Sequence, residues 1–171
     1  MYQAVEEAEV NGFDPKSLKN VAAECPGFQA RATARAITRF YNACFRQFGI
    51  TAEQFSLLVG IGAAEETTIV ELAASAGVDA TTLSRNVRNL EERDLVRAEG
   101  GRGRAGKRLS LTRSGRRLMV DAFPVWEWAK AELSRHLGEK GLRSTRQAMA
   151  ELAKAAQASS SVALEPSHRS R

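Results

Sequence analysis

The segment from Thr68 to Leu111 constrains the fold more than any other part of the chain. Apolar residues recur at helical spacing on both sides of a three-residue turn, Gly77-Val78-Asp79, and the period then drops to two. Thr68-Ile-Val-Glu71 has the pattern of a capping box and opens a helix with Leu72, Ala73 and Ala76 inward, stopped by Gly77. Asp79 is an N-cap for the next helix, whose inner stripe is Leu83, Val87 and Leu90. Its other face holds Thr81, Thr82, Ser84, Arg85, Arg88 and Asn89, all hydrogen-bonding side chains. Leu95-Val-Arg-Ala98 and Arg108-Leu-Ser-Leu-Thr112 alternate as the two strands of a hairpin, joined by a Gly- and Arg-rich loop.

The flanks read as helices. Ile37, Phe40, Tyr41, Cys44, Phe45 and Phe48 make one stripe of a long amphipathic helix that ends at Gly49, while Arg31, Arg35 and Arg39 form a basic row on another face. Thr51-Ala-Glu-Gln54 is a second capping box, opening a helix through Phe55, Leu57, Leu58 and Ile61. Thr112 caps a long helix through Leu118, Val120, Phe123, Trp126 and Leu133, expected to bend at Pro124. A last helix is expected from about Ser144 to Gln157, with Met149, Leu152 and Ala156 inward. The expected organisation is an acidic arm with one short helix over 1–24, a dimerisation helix over 25–48 and a winged helix-turn-helix domain over 49–114. Dimerisation helices over 115–157 and a Ser-rich disordered tail over 158–171 complete it. The fold class is mainly α with a small β-hairpin.

Charge is distributed unevenly along the 171 residues, which carry a net +5. From Gln47 to Ser84 there are five acids and no Lys or Arg; from Arg97 to Arg117 there are eight basic residues against one acid, Glu99. Concentrated positive charge is the footprint of a polyanion partner, and Arg grips phosphate and reads guanine edges bidentately. With 43% apolar and 26% charged residues, the composition is that of a globular protein. Phe55 to Ala64, the longest nearly apolar run, is about half of what crosses a bilayer. Two cysteines suit a reducing cytoplasm, and Glu6, Glu7 and Glu9 stand where a secretion leader would be basic and then apolar.

A helix, a glycine turn, a polar-faced helix and a basic hairpin together predict DNA binding, with the second helix in the major groove and the hairpin as a wing. Thr81, Thr82, Ser84, Arg85 and Arg88 are the candidates for bases and nearby phosphates; Arg102, Arg104, Lys107 and Arg108 are the candidates on the wing. The stretch from Val78-Asp-Ala-Thr-Thr-Leu-Ser-Arg85 to Val96 resembles the recognition helix of MarR-type (multiple antibiotic resistance regulator) winged-helix repressors. Gly49-Ile-Thr-Ala-Glu-Gln-Phe-Ser-Leu-Leu58 and Leu109-Ser-Leu-Thr-Arg-Ser-Gly115 are similar to the same family, and the likeness extends over about residues 25–157. It implies a homodimer with interleaved terminal helices, a pseudo-palindromic duplex as partner, and a cytoplasmic repressor released by a small molecule or an oxidant. One departure concerns the wing. Where the family carries Asp-x-Arg, this chain has Gly103 and Ala105, so the wing arginine falls to Arg102 or Arg104 without its acidic anchor.

Other signals have simpler readings. Gly101-Arg-Gly-Arg-Ala-Gly106-Lys107 fits the outline of a phosphate-binding loop, but Arg108 stands where Ser or Thr must hold magnesium, and a strand follows instead of a helix. Cys25, before Pro26 at a helix start, is a candidate redox switch; Cys44 belongs to the apolar stripe. Arg39, Phe40, Tyr41, Phe123, Trp126 and His136 are candidates for an aromatic ligand pocket, with Arg39 or His136 meeting a carboxylate. No cofactor, metal cluster, paired carboxylates or activated nucleophile is expected, so an enzyme is the third and weakest of the function classes and is not the expected one. The alternative is a dimeric protein-interaction module that meets an acidic surface with the same hairpin.

Overall fold

The computed structural model of the chain describes residues 15–64, 66–100 and 106–163. They fall into two compact units, one ending at Arg116 and one beginning at Arg117. The helices are α1 (Pro15–Glu24), α2 (Pro26–Phe45), α3 (Ala52–Ala63), α4 (Ile69–Ala76), α5 (Ala80–Glu92) and α6 (Arg113–Ala163). The strands are β1 (Thr67–Thr68), β2 (Val96–Glu99) and β3 (Arg108–Leu111), and a 3-10 turn, Arg46–Phe48, follows α2. No described helix is long and apolar enough to cross a membrane.

Local chemistry sets the helix ends. Thr51 Oγ1 accepts from the Gln54 amide at 3.1 Å, and Gln54 Oε1 accepts from the Thr51 amide at 3.0 Å. The second box closes the same way, with the Glu71 amide donating to Thr68 Oγ1 and the Thr68 amide to Glu71 Oε2. Each box satisfies two of the amides that a helix start leaves without intrahelical partners. Gly77, at φ 66°, ends α4 in the left-handed conformation, which lets the chain turn into α5.

The core of the first unit gathers apolar residues from every element of the predicted domain. Phe45, Ile50, Phe55, Leu58, Ile61, Leu72, Leu83, Val87, Leu90, Leu95, Val96 and Leu109 are buried. Each buried large side chain contributes roughly 1.5–3 kcal/mol relative to exposure. The rings of Phe45 and Phe55 stack at 4.2 Å, which joins the end of α2 to α3. In the sheet, β3 is central: Val96 lies opposite Leu111 and Glu99 opposite Arg108 on one side, and Thr67 lies opposite Leu109 on the other. The hairpin was legible as two alternating runs. The third strand, β1, was not, because two threonines, the second of which also caps a helix, are too short to display a period.

Several local expectations change. Ala76 is exposed, because α4 turns its inner face at Leu72 and Ala73 and ends one turn later. Pro124 lies inside α6, and the only non-helical backbone there is at Gly138, with φ 72° and ψ 155°. The break is therefore set by the residue without a Cβ, which reaches that region freely, and not by the proline. The last helix expected from about Ser144 to Gln157 is present and longer: beyond the break at Gly138 helical backbone resumes and continues to Ala163, into the segment expected to be a tail. Met149 and Leu152, expected inward, are 49% and 43% exposed in the single chain. The expected acidic arm ends in α1, and residues 1–14 and 164–171 lie outside the described residues.

Candidate nucleic-acid interface

The surface begins with the N-cap of α5. Asp79 Oδ1 accepts from the Thr82 amide at 2.9 Å, and Thr82 Oγ1 donates to Asp79 Oδ2 at 2.6 Å. The Thr82 hydroxyl and amide hold the Asp79 carboxyl below the usual carboxylate range. Leu83, Val87 and Leu90 are buried, so helical geometry places Thr81, Thr82, Ser84, Arg85 and Arg88 on exposed surface. Thr82 has committed its proton to Asp79 and keeps its acceptor capacity. Arg85 makes no hydrogen bond or ion pair with any described residue. Arg88 donates from Nε to Glu92 Oε1 at 3.1 Å, an exposed pair that water and salt weaken.

Two asparagines on α5 face a neighbouring helix. Asn86 Nδ2 donates to Glu53 Oε1 at 2.8 Å, and Asn89 Oδ1 accepts from Gln54 Nε2 at 2.8 Å. Arg93, just after α5, donates to the carbonyls of Gly49 at 2.9 Å and Phe48 at 3.3 Å. Asp94 has φ 54°, a left-handed conformation that Asp tolerates better than most residues. Its carbonyl accepts from Thr112 Oγ1 and its carboxylate from Ser114 Oγ, tying the turn after α5 to the start of α6. Sequence reasoning missed these contacts. The only local signal was the cluster of polar residues where an apolar period stops.

The wing is divided. Lys107 is exposed, and Arg108 is engaged in an ion pair with Glu66, across the edge where β1 meets β3. Arg97 pairs with Glu99 at 3.2 Å and Arg117 with Asp121 at 3.5 Å, so three of the basic residues counted in the sequence already have acidic neighbours. Arg102 and Arg104 lie outside the described residues. In α4 the Thr68 backbone amide, with the Thr68 hydroxyl, holds the Glu71 carboxyl low.

The ligand-pocket candidates belong to both units. In the first, Arg39 is exposed, and the half-buried Phe40 and Tyr41 meet edge to face at 5.4 Å. In the second, Phe123 lies 5.2 Å from Trp126, with Lys130 Nζ 5.6 Å from the Trp126 ring. His136 Nε2 is 3.2 Å from Glu132 Oε1, beside Arg135. Cys25 is half-buried at the N-cap of α2 and makes no side-chain capping bond. Among the described residues, no group of three or more His, Cys, Asp or Glu could hold a metal ion.

Comparison with known proteins places this geometry. Residues 48–105 match the sequence model of the MarR family. The M. tuberculosis transcriptional regulator MosR is 35% identical, over 80% of this chain and 98% of its own, with a TM-score of 0.71. MosR in complex with DNA gives 36% identity, 79% and 98% coverage and a TM-score of 0.71. A mutant of MarR from E. coli complexed with operator DNA shares the fold at a TM-score of 0.70 and 21% identity, over 77% of this chain and 96% of its own. No curated protein matches this sequence. With the capped turn, the polar-faced α5 and the three-stranded wing in place, the chain belongs to the MarR family of winged helix-turn-helix transcriptional regulators.

Proposed function

We propose that the chain is a homodimeric, cytoplasmic repressor that binds a pseudo-palindromic duplex and is released by a small aromatic ligand or an oxidant. One observation carries the DNA reading: the exposed face of α5 presents Arg85 without a partner among the described residues while three buried residues hold the helix from behind. A guanidinium in that state can meet guanine O6 and N7 without first leaving a carboxylate. In a dimer the two copies of α5 would enter successive major grooves about 10 base pairs apart. The related MosR complex with DNA supports this reading.

The dimer reading draws support from large apolar side chains on the surface of the single chain. Leu18, Val21 and Phe28 are exposed on α1 and α2, and Trp128, Leu137 and Leu152 on α6. The aromatic pairs Phe40–Tyr41 and Phe123–Trp126 support an aromatic effector, and Cys25 supports an oxidant.

Fluorescence anisotropy with duplexes flanking the chain's own gene, competed by random duplex, tests the DNA reading. The expected result is a dimer that prefers one flanking duplex. Equal affinity for both duplexes would remove the sequence-specific reading, and binding to neither would leave the protein-interaction alternative. Mild hydroperoxide should weaken binding in the wild type and leave Cys25→Ser unchanged if Cys25 is the switch.

A further inference from the structure

We propose that Gln54 and Asn89 are a positioning pair that fixes the roll of α5 about its own axis, and through it the reading of sequence by Arg85. The inference rests on the DNA reading above and deepens it. The buried stripe Leu83, Val87 and Leu90 holds α5 against the core, but apolar contact is non-directional and tolerates rotation. Hydrogen bonds are directional. Two of them run from α3 to α5, Glu53 with Asn86 and Gln54 with Asn89, and both asparagines lie three residues apart on one flank.

The Gln54 bond is the stronger constraint, because Gln54 is only 9% exposed and water competes poorly for it, whereas the Asn86 bond is exposed. Gln54 is itself fixed. Its Oε1 closes the capping box of α3, which leaves Nε2 aimed at Asn89. Asn42 Oδ1, from α2, accepts from the Ala52 amide at 2.7 Å, so the same helix start is anchored on its other side. The N-terminus of α3 is thus a joint at which α2 holds one side and α5 the other. Side-chain ends stand about 5–6 Å from a helix axis, so a roll of about 10° displaces them by about 1 Å. That is enough to spoil a bidentate contact, whose two hydrogen bonds must form together.

Asn89 is exposed on the polar face, so it needs a test that separates positioning from direct contact. Three charge variants supply one. Gln54→Glu keeps the cap acceptor and lets the Asn89 amide turn to donate. Asn89→Asp keeps an acceptor for Gln54. Only the double variant sets two acceptors face to face. The measured quantity is the ratio of affinity for a duplex selected by the wild type from a random pool to affinity for random duplex, with melting temperature as the check on folding. Gln54→Glu should keep the ratio, and Asn89→Asp should lower both affinities and keep it. The double variant should lower the ratio about tenfold, as the loss of one well-placed base contact would. A fall in ratio with either single variant, or none with the double, overturns the proposal. If the wild type selects no duplex, the DNA reading fails and the pair is judged on free protein. Backbone amides of residues 80–92 should then exchange faster in the double variant than in either single one, and equal rates overturn it.

Discussion

A Cβ on Gly115 would stand 2.0 Å from the carbonyl oxygen of Leu95. The first turn of α6 therefore lies directly on the backbone that leads into β2, and the Thr112 amide bonds that same carbonyl at 3.2 Å. The obstacle is backbone, so it cannot turn aside as a side-chain end would. Gly115→Ala should destabilise the protein by at least about 3 kcal/mol, at the upper end for overpacking. Gly141→Ala is the control: its Cβ meets nothing closer than the Leu137 Cβ at 3.4 Å, and replacing a helical glycine should add about 0.5–1 kcal/mol. Urea unfolding of both variants checks the contrast, and equal stabilities would show that α6 shifts freely on β2.

Those parts of the fold that follow from neighbours in sequence could be read from it. Thr51–Gln54, Thr68–Glu71 and Asp79–Thr82 are caps spanning three residues, and all three form. Leu83, Val87 and Leu90 share a face by helical period, which also exposes Arg85 and Arg88. The contacts that position α5 join residues far apart: Gln54 with Asn89, Arg93 with Gly49, Asp94 with Ser114. A period or a cap reports nothing about such pairs. The pairing of Arg108 with Glu66 was hidden for the same reason, since a basic count along the chain does not see acids brought beside it by β1. Pro124 and Gly138 teach a different lesson. Both break helices on propensity, and only the structure shows that the backbone departs from helical geometry at the glycine.

Acid should weaken the N-terminal caps of α4 and α5 before it reaches the apolar core. The Asp79 and Glu71 carboxyls are held below their ordinary values by hydrogen bonds from Thr82 and Thr68. Their stabilisation is therefore complete above the unfolded carboxylate range, about pH 4, and is lost as pH falls through the lower folded values. Both groups are exposed, so the loss is modest. Asp79→Asn with Glu71→Gln keeps an acceptor oxygen at each cap and removes the titration. Melting temperature followed from pH 7 to pH 3 should fall less steeply for this variant than for the wild type. An unchanged slope would place the acid sensitivity elsewhere.

Glu66 should compete with DNA for Arg108. The carboxylate pairs with a guanidinium that the wing would otherwise offer to phosphate. Glu66→Gln should raise affinity for every duplex alike, by up to about fivefold at low salt, the range of an exposed ion pair. The gain should shrink as ionic strength rises and screens both contacts. Anisotropy titrations at several salt concentrations measure it. A drop in affinity would mean that Glu66 orients Arg108 toward DNA instead of withholding it.

Arg85 and the wing arginines should divide the work between sequence and charge. Arg85 projects from the middle of α5 and has no competing partner among the described residues, as a residue that should reach a base edge requires. Arg85→Ala should cost about 1–3 kcal/mol on the selected duplex and little on random DNA, so that preference relaxes. Arg104, in the Gly- and Arg-rich loop, lacks the Asp-x-Arg anchor and should meet phosphate; Arg104→Ala should weaken all duplexes alike and lower the salt slope by about one per protomer, about two per dimer. With about 6–10 phosphate contacts per dimer, wild-type affinity should fall about 10³–10⁵-fold between about 50 and 200 mM salt. Equal losses on selected and random duplex for both variants would refute the division, because a residue that reads bases cannot be indifferent to which bases it meets.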